Sequence, residues 1–269
     1  MKRRGFLVSS LAASALAGTN PSAEGSTAQG GPGAGNREIY ELRKYLLRRG
    51  PQPQRVIDYF RDAAIPALNR LGVKPVGVFN TTIGPASPTI YVLTPFTSLE
   101  SAISIPARLA ADPEYRQAGA AFNDVSPTDP AYLRMDSFLL AAFAGMPNLE
   151  LPAGAASGQP RIFELRTYES HSKKASRTKI EMFNRAEIAI FRRTGLHPVF
   201  FGETLVGASQ PSLTYMLTFA DMAERTSSWA AFGADPEWKK LSSTPGYTDA
   251  EIVSNITNVI LSPAPCSQI

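Results

Sequence analysis

The chain has 269 residues, enough for one large domain or two modest ones. Apolar residues at 43% exclude a wholly disordered chain, and 20 Gly with 22 Pro lack the three-residue period of collagen. One Cys and two His exclude an internal disulfide framework and a Cys-rich or multi-histidine metal centre, so no metal is expected.

In chain order, residues 1–17 have the form of an export signal: basic Met1-Lys2-Arg3-Arg4, a short, mildly apolar stretch from Phe6 to Leu16, and a small-x-small Ala15-Leu16-Ala17 cleavage pattern. The stretch is too short for a stable bilayer anchor. Arg3-Arg4-Gly5-Phe6-Leu7 resembles the bacterial twin-arginine signal, so Arg3, Arg4, Phe6 and Leu7 are its marker residues and a periplasmic or secreted location is expected. Without Lys2, Arg3 and Arg4 the formal net charge falls from +4 to +1, which removes the electrostatic case for a nucleic-acid partner. No Cys follows the cleavage site, so no membrane anchor is expected in the mature chain. Residues 18–36, rich in Gly, Ala, Ser and Thr, are expected to be a disordered linker.

The remainder is one module written twice. Tyr40-Glu41-Leu42-Arg43-Lys44-Tyr45 returns as Phe163-Glu164-Leu165-Arg166-Thr167-Tyr168. Gly72-Val73-Lys74-Pro75-Val76 returns as Gly195-Leu196-His197-Pro198-Val199, and Asp112-Pro113-Glu114-Tyr115 as Asp235-Pro236-Glu237-Trp238, always 123 positions later. Motifs in constant register mark a duplication. The modules are placed at 37–146 and 160–262, with a Gly/Ala/Pro-rich linker at 147–159 and a tail at 263–269.

Each module is expected to start with a strand (38–46; 162–169). A helix follows, with Val56, Tyr59, Phe60, Ala63, Ala67, Leu68 and Leu71 at helical spacing in the first copy. Pro66 should kink or shorten that helix. A hairpin (75–82 with 89–94; 198–206 with 213–219), a second helical region and a closing strand (131–141; 252–261) complete the unit. The order β-α-β-β-α-β is a ferredoxin-like unit with helices on one face of an antiparallel sheet. The expected fold class is α+β: two tandem units packed sheet to sheet as an intrachain pseudo-dimeric barrel. One chain thus supplies both halves, as a monomer or as part of a homodimer.

Alternation in the first strand splits its side chains into two sets. Tyr40, Leu42, Phe163 and Leu165 are assigned to the helix layer. Glu41, Arg43, Tyr45, Glu164, Arg166 and Tyr168 are assigned to the space between the sheets, where they would bind a small polar ligand or form a structural ion pair. His197, before Pro198, joins the ligand-binding candidates, with Lys74 as its counterpart. His171 lies in a basic segment, 171–179, which is expected to be a solvated face. Asp112-Pro113-Glu114 and Asp235-Pro236-Glu237 match helix starts, with a paired-carboxylate acid/base site as the sharper alternative. Cys266 is expected to be a frayed tail thiol. No glycine-rich phosphate loop, G-x-S-x-G elbow or RNP1 pattern is present.

The Tyr/Phe-Glu-Leu-Arg-x-Tyr opening, the Gly-x-x-Pro-Val helix exit and the Asp-Pro-Glu-Tyr/Trp segment resemble the NIPSNAP domain across both modules. The resemblance implies the dimeric α+β barrel superfamily, which includes cofactor-free monooxygenases, haem-handling enzymes and proteins of no known activity. It supplies no catalytic residue set, and neither catalytic residues nor cofactor follow from it. The expected function is an exported protein binding a small molecule between its sheets. The alternatives are an oxidoreductase of cofactor-free monooxygenase or haem type, which needs His171 or His197 inside the cavity, and a non-catalytic interaction module.

Overall fold

The computed structural model describes residues 37–155 and 158–269. The expected signal segment and the linker at 18–36 lie outside the described residues. Among the described residues, no helix is long and apolar enough to cross a membrane.

The first module runs β1 (Ile39–Leu46), α1 (Gln52–Tyr59), a π-helical turn (Phe60–Ala64), α2 (Ile65–Arg70), β2 (Gly77–Ile83), β3 (Thr89–Phe96), α3 (Leu99–Ala111), α4 (Pro113–Asn123) and β4 (Arg134–Ala142). The second repeats it as β5 (Ile162–Glu169), α5 (Lys173–Met182), a π-helical turn (Phe183–Glu187), α6 (Ile188–Arg193), β6 (His197–Val206), β7 (Ser212–Phe219), α7 (Met222–Ala234), α8 (Pro236–Ser242), α9 (Asp249–Ile252) and β8 (Asn255–Pro263). Asp112 and Asp235 each cap a helix by accepting two backbone N–H groups, Glu114 and Tyr115 in one copy and Glu237 and Trp238 in the other. Each also pairs with an arginine, Arg70 or Arg193. Capping and pairing consume these carboxylates, and the acid/base alternative is set aside.

Pro66 does not break its helix. The π-turn ends two residues before it, and the second module has the same turn with Ala189 at the matching position. The turn therefore belongs to the module, not to proline.

The eight strands close a barrel in the order β1-β3-β2-β8-β5-β7-β6-β4. Antiparallel pairs β2–β8 and β4–β6 join the modules, so neither half keeps a free sheet edge. The lumen is filled by side chains, as an eight-stranded barrel requires. Phe79 meets Phe163 at a centroid distance of 4.8 Å and Tyr40 meets Phe200 at 5.1 Å, each pair drawn from both modules. Two further cores lie between the barrel wall and the helices, one around Tyr59, Phe60 and Phe122, the other around Phe183, Phe191 and Tyr215.

The assignment of strand faces is reversed in the structure. Tyr40, Leu42, Phe163 and Leu165 point into the lumen, while Tyr45 and Tyr168 lie in the helix-side cores. The lumen is sealed from water along its centre, so it takes the set without charged groups there, the Tyr40 hydroxyl being its buried polar atom. The helix layer leaves a margin where charged ends reach water or new partners.

The tail does not fray. The backbone N–H groups of Ala264 and Gln268 donate to the carbonyls of Val78 and Val76. Cys266 packs against the first module's core, and burial raises its thiol pKa.

Candidate functional site: a two-walled cavity at the barrel mouth

The predicted site residues are not one site. Glu41 accepts from Arg43 Nε and Ser137 Oγ, both at 2.7 Å, beneath the first module's helices. Glu164, fully buried, accepts from Arg166 (3.0 Å), Arg225 (2.7 and 2.9 Å), Trp229 Nε1 (2.7 Å) and Asn258 (2.7 Å) beneath the second's. Burial alone would raise the Glu164 pKa, but the hydrogen bonds from Arg225 and Trp229 and the charge of Arg166 outweigh it and hold the carboxylate ionised. Arg166 donates to Tyr168 Oη at 3.2 Å, and Tyr168 shares a hydrogen bond with Tyr215 at 3.0 Å. Each glutamate is held by structural partners outside the lumen, although Arg166 Nε is buried without a hydrogen-bond partner.

His197 stands apart, half-exposed at the start of β6 and 3.8 Å from Glu224. It borders an open surface cleft of about 460 Å³ whose Arg192 is already bidentate to Glu150. His171 is exposed as well. Neither histidine lines the lumen, so the histidine-centred oxidoreductase alternative finds no group in place.

The lumen does open, at the end where β1 and β5 finish. A cavity of about 250 Å³ lies there, lined from both modules. Strand register resolves it into layers. The floor is apolar: Leu42 opposite Phe138 on one side, Leu165 opposite Val259 on the other. One step outward, β1 places Lys44 between Tyr91 on β3 and Asp136 on β4. At the corresponding step of the second module, β5 places Thr167 between Thr214 on β7 and Thr257 on β8. The duplication thus faces a charged wall with a hydroxyl wall. Glu169 and Ser212 form the rim.

The charges on this collar are unevenly matched. Asp136 pairs with Arg134 at 3.3 Å, and Glu169 accepts from Asn255 Nδ2 at 2.9 Å. Lys44 makes no ion pair or side-chain hydrogen bond with the described residues. Burial pushes the Tyr91 pKa up to about 12, with the Asp136 charge adding to it, so the phenol keeps its proton and can donate. Thr167 and Thr214 share a hydrogen bond at 3.0 Å, as do Ser212 and Thr204. The β6–β7 hairpin closes one side: Gly207, at φ +151°, lies on the Phe138 ring where any Cβ would collide. Reading the opposite strand face hid Lys44, Tyr91 and Asp136. The available signal was that this face of β1 runs Tyr40, Leu42, Lys44 where the repeat runs Phe163, Leu165, Thr167, so that a lysine stands where its counterpart is a threonine.

Fold and site together define a tandem α+β barrel in which one chain supplies both ferredoxin-like halves. The NIPSNAP family model matches residues 40–143 and again 163–268, and the chain belongs to the NIPSNAP family. No curated protein matches it. Among solved structures, an uncharacterised NIPSNAP-like domain protein from Burkholderia xenovorans shares 23% identity over 40% of this chain and 88% of its own, with a TM-score of 0.36. A NIPSNAP family protein of unknown function from Agrobacterium tumefaciens shares 20% over 40% of this chain and 91% of its own, with a TM-score of 0.35. A protein provisionally named a monooxygenase, from Lactobacillus acidophilus, covers 84% of this chain and 94% of its own at 8% identity, with a TM-score of 0.57. That last likeness concerns the fold.

Proposed function

We propose that this NIPSNAP protein binds a small molecule in the barrel-mouth cavity. The observation that carries the reading is the break in packing: a lumen filled by aromatic and aliphatic side chains gives way, where β1 and β5 finish, to a chamber with an apolar floor and a polar collar. Such a lining is the usual composition of a small-molecule site. Thr257, half-buried on the hydroxyl wall, is the position from which to fill it. A thermal-shift panel of small carboxylates, amines, alcohols and polyols should raise the melting temperature of the wild type with at least one member. Thr257→Trp should fold yet lose that response. Equal responses from both proteins, or none from the wild type, would sink the reading.

An exported location is part of the same proposal and is supported by Arg3-Arg4-Gly5-Phe6-Leu7. Fractionation of cells expressing the wild type and Arg3→Lys/Arg4→Lys tests it. The pair substitution should trap the protein in the cytoplasm, whereas identical distributions would refute export by this route.

A further inference from the structure

Resting on the cavity reading, we propose that the ligand is a small carboxylate with a compact apolar body, bound body-first. The layers supply the orientation. Leu42, Phe138, Leu165 and Val259 offer an apolar floor, and the first polar groups above it belong to the collar. An apolar cavity of about 150 Å³ admits benzene. A chamber of about 250 Å³ therefore holds a ring-sized body together with its polar group.

Charge chooses the polar group. Of the three charged side chains at the mouth, Asp136 is ion-paired with Arg134, and Glu169 accepts from the neutral Asn255 amide, which satisfies an oxygen and leaves its charge in place. Lys44 is the cation of this lining, and its ammonium has neither an ion pair nor a side-chain hydrogen bond among the described residues. Its cross-strand neighbour Tyr91 adds a neutral O–H on the same wall. An ammonium beside a hydroxyl donor suits a carboxylate, through charge-assisted hydrogen bonds. An amine would meet the Lys44 charge head-on. Asp136 and Glu169 oppose any anion at the collar and a dianion twice as strongly, so the head carries the single negative charge that Lys44 can match.

The test uses benzoate, benzyl alcohol and benzylamine, three probes with one ring and different polar groups, titrated calorimetrically into the wild type, Lys44→Met and Lys44→Glu. Benzoate should bind the wild type most tightly. Lys44→Met should weaken benzoate by about ten- to a hundredfold, the value of a hydrogen bond to a charged group, while leaving benzyl alcohol nearly unchanged. Lys44→Glu should favour benzylamine. If benzyl alcohol or benzylamine matches benzoate on the wild type, or if Lys44→Met is indifferent, the carboxylate inference falls while the cavity reading stands. If no probe binds the wild type and the broader panel gives no Thr257→Trp-sensitive response either, the cavity reading itself has failed. Melting curves of the two Lys44 variants confirm that both are folded.

Discussion

The two modules share element order, helix caps and the π-turn, yet they differ in what they bury. Under the first module's helices, Val56 and Ala64 lie in an ordinary apolar core beside the stacked rings of Tyr59 and Phe122. At the matching positions the second module buries Lys179 and Glu187, 3.2 Å apart and 1% and 2% exposed. The Lys179 ammonium lies 5.1–5.5 Å from the ring centres of Phe183, Tyr168 and Trp238, and 3.5 Å from Asp249 at the start of α9. Helix α9 has no counterpart in the first module and packs on α5. A duplicated fold can therefore keep its frame while one copy moves charge into its helix layer and the other places it at the lumen wall. Lys44 faces the barrel-mouth cavity; Lys179 is locked against its own helix layer.

The strongest way to break this comparison is to split the buried pair. Lys179→Val alone leaves Glu187 buried without its cation and should cost about 3–5 kcal/mol by urea unfolding. Adding Glu187→Ala installs the first module's own pair and should restore most of that loss. A double variant no more stable than the single would mean that the pair is not the reason for the loss.

The next effect concerns the two buried-strand glutamates. Glu164→Gln keeps the shape but disturbs a carboxylate saturated by four side chains, and should cost about 1.5–3 kcal/mol. Glu41→Gln, with two partners at a partly exposed margin, should cost less than about 1 kcal/mol. Equal costs would erase the distinction between the two networks.

A pH series sharpens the comparison further. Burial pushes the Glu187 carboxyl up from 4.5 to about 7, against the opposing pull of Lys179. A raised folded-state value means that the native protein binds this proton more tightly than the unfolded chain. This contribution to stability is complete below pH 4.5 and is lost as pH rises towards 7. Subtracting the Lys179→Val/Glu187→Ala profile from that of the wild type should isolate a decline over that window; a flat difference would contradict it. The smallest expected effect is at the caps, where Asp112→Ala and Asp235→Ala should destabilise by similar, modest amounts because the two cap bonds are the same in both modules and the arginine pairs are exposed.

The duplication, the element order and the caps were legible because each rests on local signals: a fixed repeat of motifs, helical and strand periods, and Asp-Pro-Glu at helix starts. The direction of the strand faces was not. Alternation in β1 separates Tyr40 and Leu42 from Glu41 and Arg43, but either set could have faced the helices. The choice depends on Arg225 and Trp229, which arrive from α7 some sixty residues later to receive Glu164. The cavity collar was hidden for the same reason. Lys44, Tyr91 and Asp136 come from three strands, and only the barrel register sets them side by side.

The most direct test is a methyl carbon–proton spectrum of the Thr, Leu, Ile and Val side chains during a benzoate titration. The account predicts shifts at Leu42, Leu165, Thr167, Thr214, Thr257 and Val259, with Val56 and Ile190 in the helix layers unmoved. Shifts concentrated at helix-layer methyls instead would place the ligand beneath the helices and contradict the barrel-mouth site.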